Sequence, residues 1–364
     1  MVRWLEPFSH YSSFAHFLTM RPLLSLALQF LLLLLLPAAA AASEASLSAR
    51  YAALAIQGDL RPATHLFADI DSSASPTDRA LAAAFRARFI GSTETEAPAS
   101  GNPLVDRVIM AYRAYWREAL VGDDLTAAPD DRLEASLAAA LGPQLALERA
   151  GGDGVYSTLA TALESAGFRA LVSDAPPLRD LFVWGRQETR AYDVELTDES
   201  RRVRVAFLSE FQSQGWKHYA SLGLASTSGW VEGDTLYCVD WAYAPDSEAF
   251  RVSYLKHETR HLADLERFPG LSSAELEYRA KLTELAYATT TLPRLVTDFR
   301  AKAADNPDSP HAAANFRVTQ QLAQALFGDA DVADARWAAL NASEVNRVAR
   351  RLLARDTLRL EGEE

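Results

Sequence analysis

The chain has almost no cysteine: of 364 residues, only Cys238 carries a thiol. One thiol excludes an intramolecular disulfide, so the fold must rest on core packing. Cys238 lies in the apolar run "TLYCVDWAYA" and reads as a buried, inert position. Basic residues are in deficit as well, with 36 Lys and Arg against 48 Asp and Glu and a net charge of −12. That balance argues against a nucleic-acid partner, because phosphate contacts need a basic footprint. There is no internal repeat and no long block of like charge. Apolar residues are plentiful, at 49% of the chain, enough for one large core or two smaller ones.

The longest apolar stretch lies near the start. From Met20 the chain reads "MRPLLSLALQFLLLLLLPAAAAASEAS": a short basic start, an apolar centre, then small residues in an A-x-A pattern. This is the form of a secretory signal peptide, with cleavage expected near Ala42 and Met20 as a candidate start. A retained membrane anchor is the rival reading, since the run approaches spanning length. The alanine-rich end followed by Ser43 and Glu44 favours cleavage, and with it no stable membrane insertion. High Ala and Arg usage beside such a signal points to the periplasm or the exterior of a bacterium.

The expected organisation is α+β. Residues 1–42 form the extension and signal peptide, 43–170 a helical layer, and 171–364 a small sheet followed by helices. In "NPLVDRVIMAYRAYWREAL", Val105, Val108, Ile109, Tyr112, Trp116 and Leu120 recur at helical spacing. No chemistry is evident in that layer, and His65 reads as a surface residue. Further on, "TRAYDVEL" and "RRVRVAFL" alternate apolar and polar residues around "TDES", the pattern of a hairpin. Gly233-Asp234 between strand-like runs suggests a second hairpin, so the sheet is expected to be mostly antiparallel. A helix capped by Asp246 or Ser247 should then run to Phe268 and stop at Pro269-Gly270. Ser309-Pro310 opens a later helix.

The helix ending at Phe268 carries "HETRH". Residues four apart share a helical face, so His257 and His261 can offer two imidazoles to one metal ion. A catalytic zinc needs a third protein ligand and an open position for water. The next helix, "SSAELEYRAKLTELAYATT", offers Glu277 and Glu284 on one face at i, i+7. Ser272 and Glu275 have the spacing of a capping box. If the two helices pack antiparallel, Glu277 lies roughly level with His261 and Glu284 with His257. Glu277 is therefore the expected third ligand, with Glu284 as its substitute or as a group supporting a ligand. The plainer reading of Glu277 is a surface pair with Lys281, four residues on.

A sheet with an edge hairpin, then a His-Glu-x-x-His helix, then a helix bearing Glu, resembles the gluzincin zinc metallopeptidases over roughly residues 180–290. The resemblance implies a zincin-like fold, His257, His261 and Glu277 as Zn²⁺ ligands, and Glu258 as general base and later proton donor. It implies that the strand around "STSGWVEGD" aligns a peptide or protein substrate by main-chain hydrogen bonds. A downstream group stabilises the oxyanion in many members; His311, the only later histidine, is the candidate, with a local surface role as its plain alternative. Two positions depart from the pattern. Arg260 occupies the usually uncharged x-x pair and is expected to point outward, paired with Asp264. Lys281 stands where many members carry an Asp that supports a ligand, with Asp264 as a replacement for it. The activity implied is that of an exported zinc-dependent peptidase. The competing class is a non-catalytic envelope or binding protein in which the motif is a structural or vestigial metal site.

Overall fold

A computed structural model describes residues 31–34, 46–91, 98–122, 128–142, 154–307, 309–329 and 332–362. The signal peptide and its cleavage point near Ala42 lie outside the described residues, apart from a short strand, β1 (Leu31–Leu34). The fold is α+β. No helix among the described residues is long and apolar enough to cross a membrane.

The N-terminal layer holds α1 (Leu47–Gln57), α2 (Arg61–Leu66), α3 (Pro76–Phe85), α4 (Pro103–Val121), α5 (Ala128–Leu141) and α6 (Val155–Ser165). Helix α4 starts where its sequence makes a start inexpensive. Asn102 Oδ1 accepts the Leu104 N–H at 2.9 Å, and Pro103 fills a first-turn position that needs no donor. The apolar stripe from Val105 to Leu120 is buried against Tyr51, Phe67, Phe85 and Trp216. That core also takes in Leu181 and Val183 of the sheet, so layer and sheet share one interior.

Five strands follow: β2 (Arg169–Ala175), β3 (Leu178–Glu195), β4 (Ser200–Gln214), β5 (Ala225–Glu232) and β6 (Thr235–Val239). With β1 along the outer edge of β5, the order is β1-β5-β6-β4-β3-β2. Only β4 and β6 pair in parallel; the other pairs are antiparallel. The turn between β3 and β4 closes with Leu196 N–H donating to Glu199 O at 2.8 Å. Gly233 turns the second hairpin with φ +59°. At 18 and 15 residues, β3 and β4 are much longer than their alternating segments. The added length of β3, Leu178–Glu188, contains "LFVWG", a continuous apolar run rather than an alternating one. Leu181 and Val183 face the helical layer, while Phe182 and Trp184 pack with Trp230 on the other side. A strand covered on both faces loses its polar alternation.

A short helix, α7 (Gly215–Ala220), leaves β4 through Gly215, whose φ is +81°. A Cβ there would lie 2.6 Å from Asp180 Oδ1 and 2.8 Å from the Phe182 ring, so glycine is required twice over. Asp180 Oδ1 accepts the Trp216 N–H at 2.7 Å and the Leu181 N–H at 2.9 Å. Burial raises the Asp180 carboxyl to about 6 despite these bonds.

After β6, Ser247 Oγ accepts the Phe250 N–H at 3.0 Å and opens a π-helical stretch, Ala249–Lys256. This runs directly into α8 (His257–Arg267). Phe250 and Tyr254 of that stretch pack on Val205, Phe207 and Leu236 of the sheet. Helices α9 (Ser273–Tyr287), α10 (Leu292–Ala301), α11 (Pro310–Phe327), α12 (Asp334–Ala338) and α13 (Ala342–Glu361) complete the fold. Helix α9 is central: it packs against α8, α11 and α13, and every residue from Leu276 to Ala286 is buried.

Burial on all sides explains a departure from expectation. Arg260 does not point outward; it is 1% exposed. Its guanidinium reaches Asp198 in the β3–β4 turn at 3.2 Å and Asp264 at 3.4 Å. Asp264 does not support a histidine either. It receives Arg279 Nε at 2.8 Å and Nη2 at 3.0 Å, a bidentate pair between α8 and α9. Arg279 Nη1 continues to Asp356 of α13 at 3.0 Å.

Two outcomes follow from these buried charges. Removing Arg279 takes the bidentate partner from buried Asp264, leaving it Arg260 at 3.4 Å, and takes one of three guanidinium partners from Asp356, so Arg279→Ala should cost about 3–5 kcal/mol. Arg190→Ala, which breaks an exposed pair with Glu188, should cost less than about 1 kcal/mol. Urea midpoints of the two variants test this; similar losses would refute it. Asp180 binds its proton more tightly folded than unfolded, so its stabilisation is full below about pH 4 and is lost as pH rises through about 6. The thermal midpoint of Asp180→Asn relative to the parent should therefore improve between about pH 4 and about pH 6 and level off above that. A difference independent of pH would show that Asp180 is not the titrating group.

Candidate metal centre

Helix α8 presents the two histidines, and the capping box fixes the start of α9 opposite them. Ser272 Oγ accepts the Glu275 N–H at 3.3 Å, and Ser272 N–H donates to Glu275 Oε2 at 3.0 Å. The helices return on each other through the turn at Phe268–Leu271, which brings Glu277 up to both imidazoles.

The Nε2 atoms of His257 and His261 are 3.0 Å apart, with ring planes 83° to one another. Glu277 Oε1 is 3.4 Å from His261 Nε2, and Glu277 Oε2 is 3.7 Å from His257 Nε2. Ligands bonded at 2.0–2.1 Å to one tetrahedral ion stand about 3.3 Å apart, so this spacing suits such an ion. His257, His261 and Glu277 are the group of described residues whose donor atoms converge closely enough to hold a metal.

Glu284 completes the arrangement in a different role. Its Oε1 is 2.8 Å from His257 Nδ1. A proton on Nδ1 shared with this carboxylate leaves the Nε2 lone pair directed at the ion position. His261 Nδ1 finds no partner among the described residues.

The surroundings are dry and strongly charged. His257, Glu258 and Glu277 are each at most 2% exposed, and His261 is 4% exposed. Burial works against ionised Glu277, yet the charge of His311 and contacts from the histidines hold its carboxyl well below the usual range. Burial shifts Glu258 the other way, raising it, with the charge of Glu277 adding to the effect and the histidines opposing it. For His257, burial favours the neutral ring, but the hydrogen bond and charge of Glu284 more than offset it and raise the imidazole.

His311, near the N-terminus of α11, has Nδ1 2.8 Å from Glu277 Oε2, and its side chain is 37% exposed. It is the group through which this cluster meets solvent. Lys281 Nζ lies 3.7 Å from the same oxygen and 4.8 Å above the Phe299 ring. The Glu277–Lys281 contact is therefore an interior one rather than a surface pair. Tyr243, absent from the sequence-level candidates, is buried, hydrogen-bonds Ser228 of β5 and feels the charges of Glu284 and Glu258. No signal in "DWAYAPD" marks that tyrosine. Tyr278 and Arg317 face a separate cavity with Gln321. Cys238 is buried, and burial pushes its thiol up to about 12.

The arrangement is a buried two-histidine, one-glutamate group that could hold a metal ion. No protein-family profile, curated protein or solved structure matches the chain.

With Zn²⁺ as probe ion, His261→Ala should abolish high-affinity binding. Glu284→Ala should keep all three ligands yet weaken binding about 10–100-fold. Competition titration against a chromophoric chelator measures both. Equal losses in the two variants would place Glu284 among the ligands.

Proposed function

We propose that the chain is an exported zinc-dependent peptidase of zincin-like architecture, resembling the gluzincins. The observation that carries the reading is the convergence of His257, His261 and Glu277 donor atoms with Glu258 on the same helix. A zinc ion there supplies Lewis acidity toward a carbonyl oxygen and makes water a nucleophile near neutral pH. Glu258 accepts the proton of the attacking water and returns it to the leaving amine as the carbon–nitrogen bond breaks. On this reading His311, with Nδ1 2.8 Å from Glu277 Oε2, steadies Glu277 and donates a hydrogen bond to the developing oxyanion.

The substrate on this reading is an extended peptide. Strand β5 touches α8, and its outer edge accepts a strand, here β1, with Leu34 opposite Ala225. Cleavage of the signal segment near Ala42 would leave that edge to a substrate by the same antiparallel pairing.

The near-complete burial of the ligands favours one alternative, a structural metal site in a non-catalytic envelope protein. The two readings part at Glu258. Glu258→Gln should bind Zn²⁺ as tightly as the parent and lose at least about 100-fold in hydrolysis of a denatured protein substrate. Full activity in that variant, or no activity in the zinc-loaded parent, would remove the peptidase reading.

A further inference from the structure

Between α11 and α13, a cavity of about 340 Å³ is lined by Tyr278, Arg317, Gln321, Leu352, Arg355 and Arg359, with Asp356 at its base. No residue of the metal cluster lines it. Three guanidinium groups in one cavity are unusual company in a chain of net charge −12.

Two of them, Arg317 and Arg359, share one carboxylate. Asp356 Oδ1 accepts Arg317 Nη2 at 2.9 Å and Arg359 Nη2 at 3.0 Å. Its other oxygen is taken by Arg279 from the protein interior. One carboxylate thus serves three guanidinium groups. Arg359 also faces Glu275, at 3.6 Å. Arg355 has no ion-pair partner among the described residues, and it lines a second cavity with Arg351, Leu352, Val348 and Ala325.

The groups are ordered rather than merely exposed. The Arg317 guanidinium stacks 3.7 Å from the Tyr278 ring, and the Tyr278 hydroxyl donates to Gln321 at 2.6 Å. A planar fork held by stacking and by a carboxylate presents its remaining N–H groups in a fixed direction. Leu352 and the tyrosine ring add an apolar floor. The volume falls within the range of small-molecule sites, about 300–1,000 Å³.

We propose that this cavity binds a small organic anion, a carboxylate or phosphate monoester whose charged group meets Arg317, Arg355 and Arg359. Its apolar body rests on Leu352 and Tyr278. Guanidinium forks match the paired oxygens of either anion, and Arg355, with no ion-pair partner among the described residues, supplies the attraction.

Calorimetric titration of the full chain with phenyl phosphate and with inorganic phosphate, at constant ionic strength, tests the assignment. Phenyl phosphate should bind more tightly than inorganic phosphate by at least about threefold, because only it covers the apolar floor. Arg355→Glu should weaken phenyl phosphate binding by at least about tenfold. Arg355 is exposed, so the variant should fold, which a thermal melt checks; Arg355→Gln replaces it if charge reversal unfolds the chain. No binding, equal affinity for the two anions, or unchanged affinity in the folded variant would each overturn the proposal.

Discussion

Arg279 and Asp264 meet across the contact of α8 and α9 with both side chains sealed from water. Neither could be buried alone, since an unpaired charge in the interior costs several kcal/mol. Their bidentate pairing fixes the rotation and the axial position of one helix against the other. Arg260 extends the pairing to the hairpin turn through Asp198, and Asp356 extends it to α13. The His257, His261 and Glu277 atoms that could hold a metal ion ride on the two helices so joined. Distances of 3.4 and 3.7 Å between Glu277 and the imidazoles follow from a brace that contains no ligand at all. The brace is where the chain commits to a single arrangement of its C-terminal half.

Within the centre, neighbouring carboxyl groups are driven in opposite directions. Glu277, faced by His311, is held ionised. Glu258, one position along from His257, is pushed toward its neutral form by burial and by the charge of Glu277. Environments that separate the pKa values of neighbouring acids allot them different tasks. Glu284 takes a third task, orienting His257 through its outer nitrogen.

Much of this frame is legible in the sequence where local rules govern. The stripe of α4, the "TDES" and Gly233-Asp234 turns and the Ser272–Glu275 box depend on residues close in the chain, and each forms where periodicity or turn chemistry places it. Along α9 helix geometry likewise converts sequence separation into height, which sets Glu277 beside His261 and Glu284 beside His257. Legibility ends where burial is decided by distant segments. Arg260, Arg279 and Lys281 look like surface residues, and only the packing of α8, α11 and α13 around α9 makes them interior. The "LFVWG" extension of β3 and the parallel pairing of β4 with β6 are hidden for the same reason. Tyr243 approaches Glu258 and Glu284 by a route that no local pattern encodes.

The π-helical stretch Ala249–Lys256 sets the phase of everything behind it. Its wider turns let Phe250 and Tyr254 stay on the sheet while α8 still directs His257 and His261 at Glu277. In an α-helix each residue advances the chain by about 100°. Winding the same residues as ordinary α turns would advance α8 about its axis and carry both imidazoles away from α9. The direction of the two histidines is thus keyed to the winding of the stretch upstream of them.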